Sequence, residues 1–154
     1  MDVPVIAYRP VTSDDRSWLW DLKRATMRGY VAAIYGWEEE VQRRMFEERF
    51  EPERLRIIRV EGRDVGMLEF EEGKTDFFLR RIELLPGAQN GGIGSAVIGG
   101  LIDAAAARKK GIRLQVLRSN PARRLYERLG FRVDAETPTH FKMRKEILST
   151  LLPH

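Results

Sequence analysis

The chain has 154 residues, of which 43% are hydrophobic, and it carries a formal charge of +4 with no cysteine. This length and apolar content suit one globular domain over residues 1–154, while the lack of cysteine excludes disulfides and thiolate metal sites and the two isolated histidines give no reason to expect a metal. No signal sequence or membrane-length apolar run is present, so we expect a cytoplasmic protein that does not contact membranes.

The positive charge comes mostly from arginine, and its distribution narrows the class of ligand. Basic residues occur in short, scattered pairs without a long basic block, which argues against binding to nucleic acid. The planar fork of arginine suits carboxylates and phosphates, so the excess charge favours an anionic small ligand. A solvated surface of mixed charge explains the same composition, because acidic residues are nearly as numerous.

The first third of the sequence predicts one strand and two helices. The predicted strand covers 3–11, the first predicted helix carries the apolar and small residues of 18–27, and the second predicted helix covers 38–50. Residues 13–15, Ser-Asp-Asp, supply N-cap chemistry for the first helix, which Gly29 weakens. Gly36 ends the apolar segment that follows.

Two aromatic residues flank that second glycine. Tyr35 and Trp37 lie in the connection between the two predicted helices. Exposed aromatics in such a connection often wall a substrate cleft, and this interpretation makes both residues substrate-binding. Packing on the core is the alternative for both.

The remaining sequence predicts strands that alternate with helices. The predicted strands are 55–61, 65–71, 75–85, 112–117, one that begins at 131, and 139–145, and the predicted helices are 96–107 and 122–129. Turns are expected at 62–64 and 73–74, and Gly111 is the expected C-cap of the helix 96–107. This order predicts an α/β domain with a mixed central β-sheet, antiparallel in its N-terminal half and parallel where the crossover helix returns.

A glycine-dense turn, Gln89-Asn90-Gly91-Gly92-Ile93-Gly94-Ser95, joins the strand 75–85 to the helix 96–107. Backbone N–H groups are unpaired at a helix N-terminus and the helix dipole is positive there, so the turn predicts a phosphate cradle. A plain connector is the alternative. The Lys-Ser/Thr pair of a triphosphate P-loop is absent, and glycines in the middle of the chain do not fit a dinucleotide fold.

A second motif follows, Asn120-Pro-Ala-Arg-Arg-Leu-Tyr126-Glu-Arg-Leu-Gly130-Phe131. Together with Gln89-x-x-Gly92-x-Gly94 it resembles the GNAT superfamily of acetyl-CoA-dependent N-acetyltransferases, over about 77–133. The resemblance implies a GNAT fold, acetyl-CoA as co-substrate without a metal, and transfer of acetyl to a primary amine. Because the chain has no cysteine to carry the acetyl group, direct transfer in a ternary complex is expected.

The resemblance also implies roles for individual residues. The main-chain amides of 89–95 would hold the coenzyme A pyrophosphate, and the backbone of 82–84 would pair with the pantetheine arm, with an amide near Leu84 polarising the acetyl carbonyl. Tyr126 would donate a proton to the departing thiolate, unless it is only a core aromatic. The implied coenzyme-binding residues are Ile82, Leu84, Gln89, Asn90, Gly91, Gly92, Ile93, Gly94, Ser95, Asn120, Arg123 and Tyr126.

Two departures from the family pattern leave alternatives open. Either Ser119 or Asn120 fills the place of the family asparagine, across a one-residue deletion. The strand position that carries a glutamate base in some members is Gln115, which cannot accept a proton. Glu83 is our preferred catalytic base, against Glu69, a water relay or an amine that arrives neutral. A regulatory acyl-CoA-binding module without turnover is the competing class of function.

Arg80 and Arg81 give information about the charge of the acceptor. Polyamine acetyltransferases of this superfamily have acidic residues at the corresponding positions, and arginine there would repel a polycation. Successive strand residues point to opposite faces, so only one arginine is expected to enter the cleft. The predicted acceptor, a small molecule or a protein, carries a carboxylate or phosphate unless both arginines are solvated or pair with Glu71 and Glu72. The sequence leaves the oligomeric state open, with a homodimer as one option.

Overall fold

Strands and helices in the described residues, 3–146 of a computed structural model, follow the predicted order. The strands are β1 Ala7–Pro10, β2 Leu55–Val60, β3 Arg63–Glu72, β4 Asp76–Leu84, β5 Gly111–Leu117, β6 Arg132–Glu136 and β7 His140–Lys145. The helices are α1 Arg16–Tyr35, α2 Glu39–Glu48, α3 Ile93–Ala107 and α4 Arg123–Arg128. Between residues 3 and 146, no helix is long and apolar enough to cross a membrane.

The strands of this region form one sheet in the order β1-β2-β3-β4-β5-β7-β6. Neighbouring strands are antiparallel except β4 and β5, which run parallel because α3 crosses over between them. The predicted α/β class is therefore confirmed, with an antiparallel N-terminal half and a parallel step at the glycine turn.

Each face of the sheet has its own apolar core. Ile57 and Ile58 are adjacent on β2, yet they are buried in different cores because successive strand residues point to opposite faces. One core packs α3 and α4 on the sheet, with Ile98 at its centre. The other packs α1 and α2, with Leu22 and Phe46 buried. The two helical layers therefore approach the sheet from opposite sides.

The helix α1 has a longer course than predicted. A 3-10 turn, Ser13–Asp15, precedes it and is capped by Thr12 in a capping box with the Asp15 side chain. Asp15 is also the N-cap residue of α1, but its side chain makes no capping hydrogen bond to that helix. The helix continues through Gly29 and ends at Gly36, whose φ is 77°. Three buried apolar residues anchor its first half, and their burial outweighs the helix penalty of one glycine, about 1 kcal/mol.

Two turns also differ from the prediction. The β2–β3 hairpin turns at Glu61 and Gly62, both with the positive φ that a type I′ turn requires, so Asp64 already belongs to β3. Gly111 is the first residue of β5 and not a helix C-cap. A Cβ at Gly111 would lie 2.7 Å from Asp76 Oδ1, so close approach of two strands explains this glycine.

A β-bulge interrupts the β3–β4 ladder at Arg80, which has no opposite residue. The extra residue reverses the alternation of side chains, and Leu79 before it and Ile82 after it contact the same core. Arg81 and Glu83 consequently point to the opposite face of the sheet, which α1 and α2 cover.

Gly66 on β3 determines how closely this strand approaches β4. A Cβ at Gly66 would meet the Glu83 carbonyl oxygen and would lie 2.7 Å from Leu84 Cδ2. We expect Gly66→Ala to lower the free energy of unfolding by about 1–3 kcal/mol, because the backbone must shift. At the control position Gly99 a Cβ has open space, so Gly99→Ala should raise it by about 0.5–1 kcal/mol. Urea denaturation measures both, and equal stabilities would contradict the close approach.

Candidate active site

The parallel strands β4 and β5 pair only along their first residues. Their ladder runs from Asp76 opposite Gly111 to Leu79 opposite Leu114 and stops one residue before the bulge. Beyond this point the strands separate, and a cavity of about 690 Å³ is lined by residues of β4, β5, α1, α2 and α4. A volume of this size accommodates a small-molecule ligand.

The strand β4 offers main-chain hydrogen-bonding groups to this gap. Leu85 N donates to Val65 O at 2.8 Å. Successive residues of a strand point alternately to its two neighbours, so the N–H groups of Leu84 and Ile82 point away from β3 and toward the gap. The Leu84 carbonyl accepts a hydrogen bond from Gln89 Nε2 at 3.0 Å. The Leu84 N–H and both polar groups of Ile82 remain for an extended ligand that pairs like an added strand.

The glycine turn continues from β4 into α3. Gly92 is the N-cap of α3 in the left-handed conformation, with φ 85°, and no side chain caps the helix. Ala96 N donates to Gly92 O at 3.0 Å and closes the first turn, so the amides of 93–95 have no partner within the helix. With the positive end of the α3 dipole behind them, these amides are well suited to binding an anion.

Tyr126 on α4 lines the same cavity. The residue is only 7% exposed and packs edge-on against Phe131, with ring centroids 5.8 Å apart. Burial raises the pKa of the phenol to about 12, so the hydroxyl keeps its proton at neutral pH. Position and protonation together suit a proton donor.

Glu83 on β4 brings a buried carboxyl group to the cavity lining. It is 3% exposed, and within residues 3–146 its Oε2 accepts no hydrogen bond. Arg81 Nη1 lies 3.8 Å from that oxygen. Burial raises the pKa of Glu83, although Arg81 and Lys23 oppose the rise. A carboxyl group with a raised pKa is well suited to accept a proton from an amine near neutral pH.

A family model described as an acetyltransferase (GNAT) domain matches residues 51–133, more than half of the chain. The chain belongs to the GNAT family of acetyltransferases. The matched range contains β4, the glycine turn, α3, β5 and α4, so the GNAT match covers the opened strand pair and the turn beside it. A comparison with curated proteins finds no match.

Solved N-acetyltransferase structures share the GNAT fold over nearly the whole chain. PaiA N-acetyltransferase from Thermoplasma acidophilum, in complex with coenzyme A, has a TM-score of 0.75 and 20% identity, covering 92% of this chain and 99% of that protein. Ribosomal-protein-S18-alanine N-acetyltransferase from Escherichia coli has a TM-score of 0.66 and 20% identity, covering 93% and 94%. At these identities the likeness establishes the fold and leaves the acceptor open.

Arg80 and Arg81 both line the cavity of this GNAT chain, so the expectation that only one would enter is wrong. The bulge at Arg80 breaks the alternation on which that expectation rested. Arg80 forms an ion pair with Glu71, as the alternative predicted, and Arg81 donates to Glu69 at 2.8 Å. Each guanidinium is therefore partly neutralised by a glutamate of β3.

The two aromatics predicted to wall the cleft have different surroundings. Tyr35, at the end of α1, lines the cavity and is 60% exposed. Trp37 stacks on Trp20 with ring centroids 6.1 Å apart, donates to Glu39 at 2.8 Å, and lies outside the lining. The packing alternative therefore describes Trp37, and the cleft-wall interpretation does not.

Of the three candidate coenzyme-binding residues near the start of α4, one lines the cavity and two lie outside it. Asn120 lines the cavity, and its Oδ1 accepts a main-chain hydrogen bond at 2.9 Å where α4 begins. Ser119 donates to the Tyr30 carbonyl at 2.7 Å and is outside the lining. Arg123 lies over the Phe141 ring, 4.2 Å from its centroid, and is also outside. Its contact with coenzyme stays a prediction.

The residues of α1 and α2 that line the cavity form no contiguous sequence motif. They are related in the sequence by a helical period. Lining residues recur every four positions along both helices. They are Lys23, Met27, Val31 and Tyr35 on α1, and Val41, Met45 and Arg49 along α2. Each helix therefore carries one stripe of cations, methionine and valine, and a short loop joins the two helices. This is the sequence pattern by which the cavity wall could have been predicted.

Proposed function

We propose that this GNAT protein binds acetyl-CoA along the open edge of β4 and transfers the acetyl group directly to a primary amine. The observation that carries the proposal is the parting of β4 and β5 beside an uncapped glycine turn, with Tyr126 and Glu83 lining the gap. Amides of the turn, 89–95, would hold the pyrophosphate, and main-chain groups of Ile82 and Leu84 would pair with the pantetheine arm.

The reaction needs one proton removed and one delivered. Acetyl-CoA supplies a thioester whose carbonyl carbon the amine nitrogen attacks, so that a C–N bond forms and the C–S bond breaks. Glu83 takes the proton that the amine loses, and Tyr126 gives its phenolic proton to the departing sulfur. The Leu84 N–H donates to the carbonyl oxygen as negative charge develops there. Because the chain has no cysteine to carry the acetyl group, both substrates bind together.

The acceptor, in this proposal, carries an anionic group beside its amine. Four cations line the cavity against two carboxylates, so a polycation is repelled and an anion attracted. The cations are Lys23, Arg49, Arg80 and Arg81, and the carboxylates are Glu38 and Glu83. The amine belongs to a small molecule or to a protein.

Gly92→Val should abolish the rise in melting temperature that acetyl-CoA gives the wild-type protein by mass action. Valine is strained at φ 85° and would place its side chain against the pyrophosphate. Gly94→Val should have the same effect from the first turn of α3. Gly99→Ala, farther along α3, should leave the shift unchanged. Thermal titrations with acetyl-CoA measure this, and unchanged binding in well-folded Gly92→Val and Gly94→Val variants would contradict the coenzyme site.

Gln115 supports a second candidate function, an acyl-CoA-binding or regulatory module without turnover. It lines the cavity from β5, and its amide cannot accept a proton. Glu83 favours the enzyme, because it brings a titratable carboxyl group to the same cavity. The module would bind acetyl-CoA without releasing free thiol, so the appearance of thiol separates the two functions.

A further inference from the structure

The side of the cavity that α1 and α2 form contains an apolar patch between its charged residues. Met27 and Val31 lie about one turn apart on α1, and Val41 and Met45 lie about one turn apart on α2. All four contribute to the lining, and methionine side chains adapt well to apolar groups of different shape. This pair of helices therefore offers space for an apolar side chain of the acceptor.

The four cations of the lining differ in how they are paired. Arg80 and Arg81 each form an ion pair with a glutamate of β3. Among residues 3–146, no carboxylate oxygen lies within 4.0 Å of the charged nitrogens of Lys23 or Arg49. The charge available to a ligand thus comes from α1 and from the end of α2 more than from β4.

Lys23 and Glu83 share one region of the cavity. Burial lowers the pKa of Lys23, the charges of Arg81 and Arg49 lower it further, and Glu83 opposes the change. An anion that enters this region meets an ammonium and a guanidinium without carboxylate partners of their own. Lys23 is partly buried and Arg49 is exposed, so water screens the ammonium less than the guanidinium, and charge-assisted hydrogen bonds to both are stronger than neutral ones.

The remaining carboxylate of the lining, Glu38, lies at the other end of α2 from Arg49. The helix has ten residues, so the two charges are separated by about 15 Å along its axis. An anionic group is therefore attracted to the Arg49 end of α2 and repelled from the Glu38 end. Lys23 links this end to Glu83, because the charges of both Arg49 and Glu83 act on it.

We propose that the acceptor is an α-amino acid with an apolar side chain, whose carboxylate binds Lys23 and Arg49 while its amine lies beside Glu83. The inference rests on the proposed acetyl transfer. An α-amino acid carries its amine and carboxylate on one carbon, and its side chain would pack against the α1–α2 wall. A polyamine has no anion to offer, and a protein N-terminus has a neutral peptide bond where the carboxylate would be.

Rates of coenzyme A release with L-methionine and with 3-(methylthio)propylamine test the inference, because the two amines differ only in the carboxylate. We expect kcat/KM to be at least about tenfold higher for methionine. Lys23→Gln and Arg49→Gln should each reduce that ratio by about tenfold, mainly through KM. The controls Arg28→Gln and Arg44→Gln, exposed on the same helices outside the lining, should leave it unchanged.

A higher kcat/KM for spermidine, or for the peptide amide Met-Ala-Ala, would overturn the inference while acetyl transfer itself stood. A carboxylate preference that survives both Lys23→Gln and Arg49→Gln would also overturn it. If no amine releases thiol, melting temperatures of the acetyl-CoA-loaded protein decide. Stabilisation by methionine above its analogue, lost in Lys23→Gln, supports the anion site, and no such difference refutes it.

Discussion

Tyr126→Phe is expected to lower kcat by roughly ten- to a thousandfold while leaving the Kd for acetyl-CoA nearly unchanged. The substitution removes only the hydroxyl, and the ring keeps its edge contact with Phe131. Burial raises the pKa of Tyr126 to about 12, so its proton is present throughout the working range and is available to the departing sulfur. Steady-state rates and a coenzyme titration measure the two effects separately.

Tyr30→Phe is the matched control for this loss. Tyr30 lies on α1 outside the cavity lining, and its hydrogen bond with Ser119 uses the main-chain carbonyl. Removal of its hydroxyl should leave kcat as it was. Wild-type turnover in Tyr126→Phe would reduce Tyr126 to a packing residue, and an equal fall in coenzyme affinity would make its hydroxyl a binding group.

Glu83→Gln is expected to lower kcat/KM by about a hundred- to ten-thousandfold, because the amide keeps the shape of the side chain but accepts no proton. Burial raises the pKa of Glu83. The kcat/KM of the wild type should therefore rise with pH through a value above that of an ordinary carboxyl group, and this step should be absent in the variant. Glu69→Gln is the comparison, and loss of turnover there instead would move the base to Glu69.

Glu83→Gln lowers activity, but at higher pH it should raise the free energy of unfolding relative to the wild type. Because the pKa of Glu83 is raised in the folded state, the folded chain holds this proton where the unfolded chain has lost it. The free energy of unfolding of the wild type therefore falls as pH rises from the ordinary carboxyl pKa through the raised one. Glu83→Gln should gain stability over the wild type across that window, and urea denaturation at several pH values measures the difference. A constant difference would contradict the raised pKa.

The order of elements follows from the sequence because most boundaries carry a local signal. Gly36, predicted to end an apolar segment, and Gly130, which directly follows the predicted helix 122–129, both take positive φ, 77° and 98°. Predictions failed where packing between distant segments decided the outcome. Gly111 is glycine because β4 brings Asp76 against it, and the bulge at Arg80 depends on how β3 and β4 pair.

More of the residues proposed to bind coenzyme could be predicted from the sequence than of those proposed to bind the acceptor. The glycine turn and the helix of Tyr126 are contiguous motifs whose chemistry follows from backbone geometry. Lys23 and Arg49 lie on different helices, and they share a cavity only after α1 and α2 pack on the sheet. Lys23 and Arg49 matter as unpaired cations because Arg81 already pairs with Glu69, and that ion pair forms only in the folded chain.

Release of free thiol from acetyl-CoA across a panel of primary amines tests most directly whether this fold catalyses direct acetyl transfer. The account predicts thiol release that depends on the amine, one acetylated amine for each thiol, and no acetylated protein by mass spectrometry when the amine is left out. Stabilisation by acetyl-CoA without thiol release for any amine, α-amino acids included, would contradict it and leave a binding module.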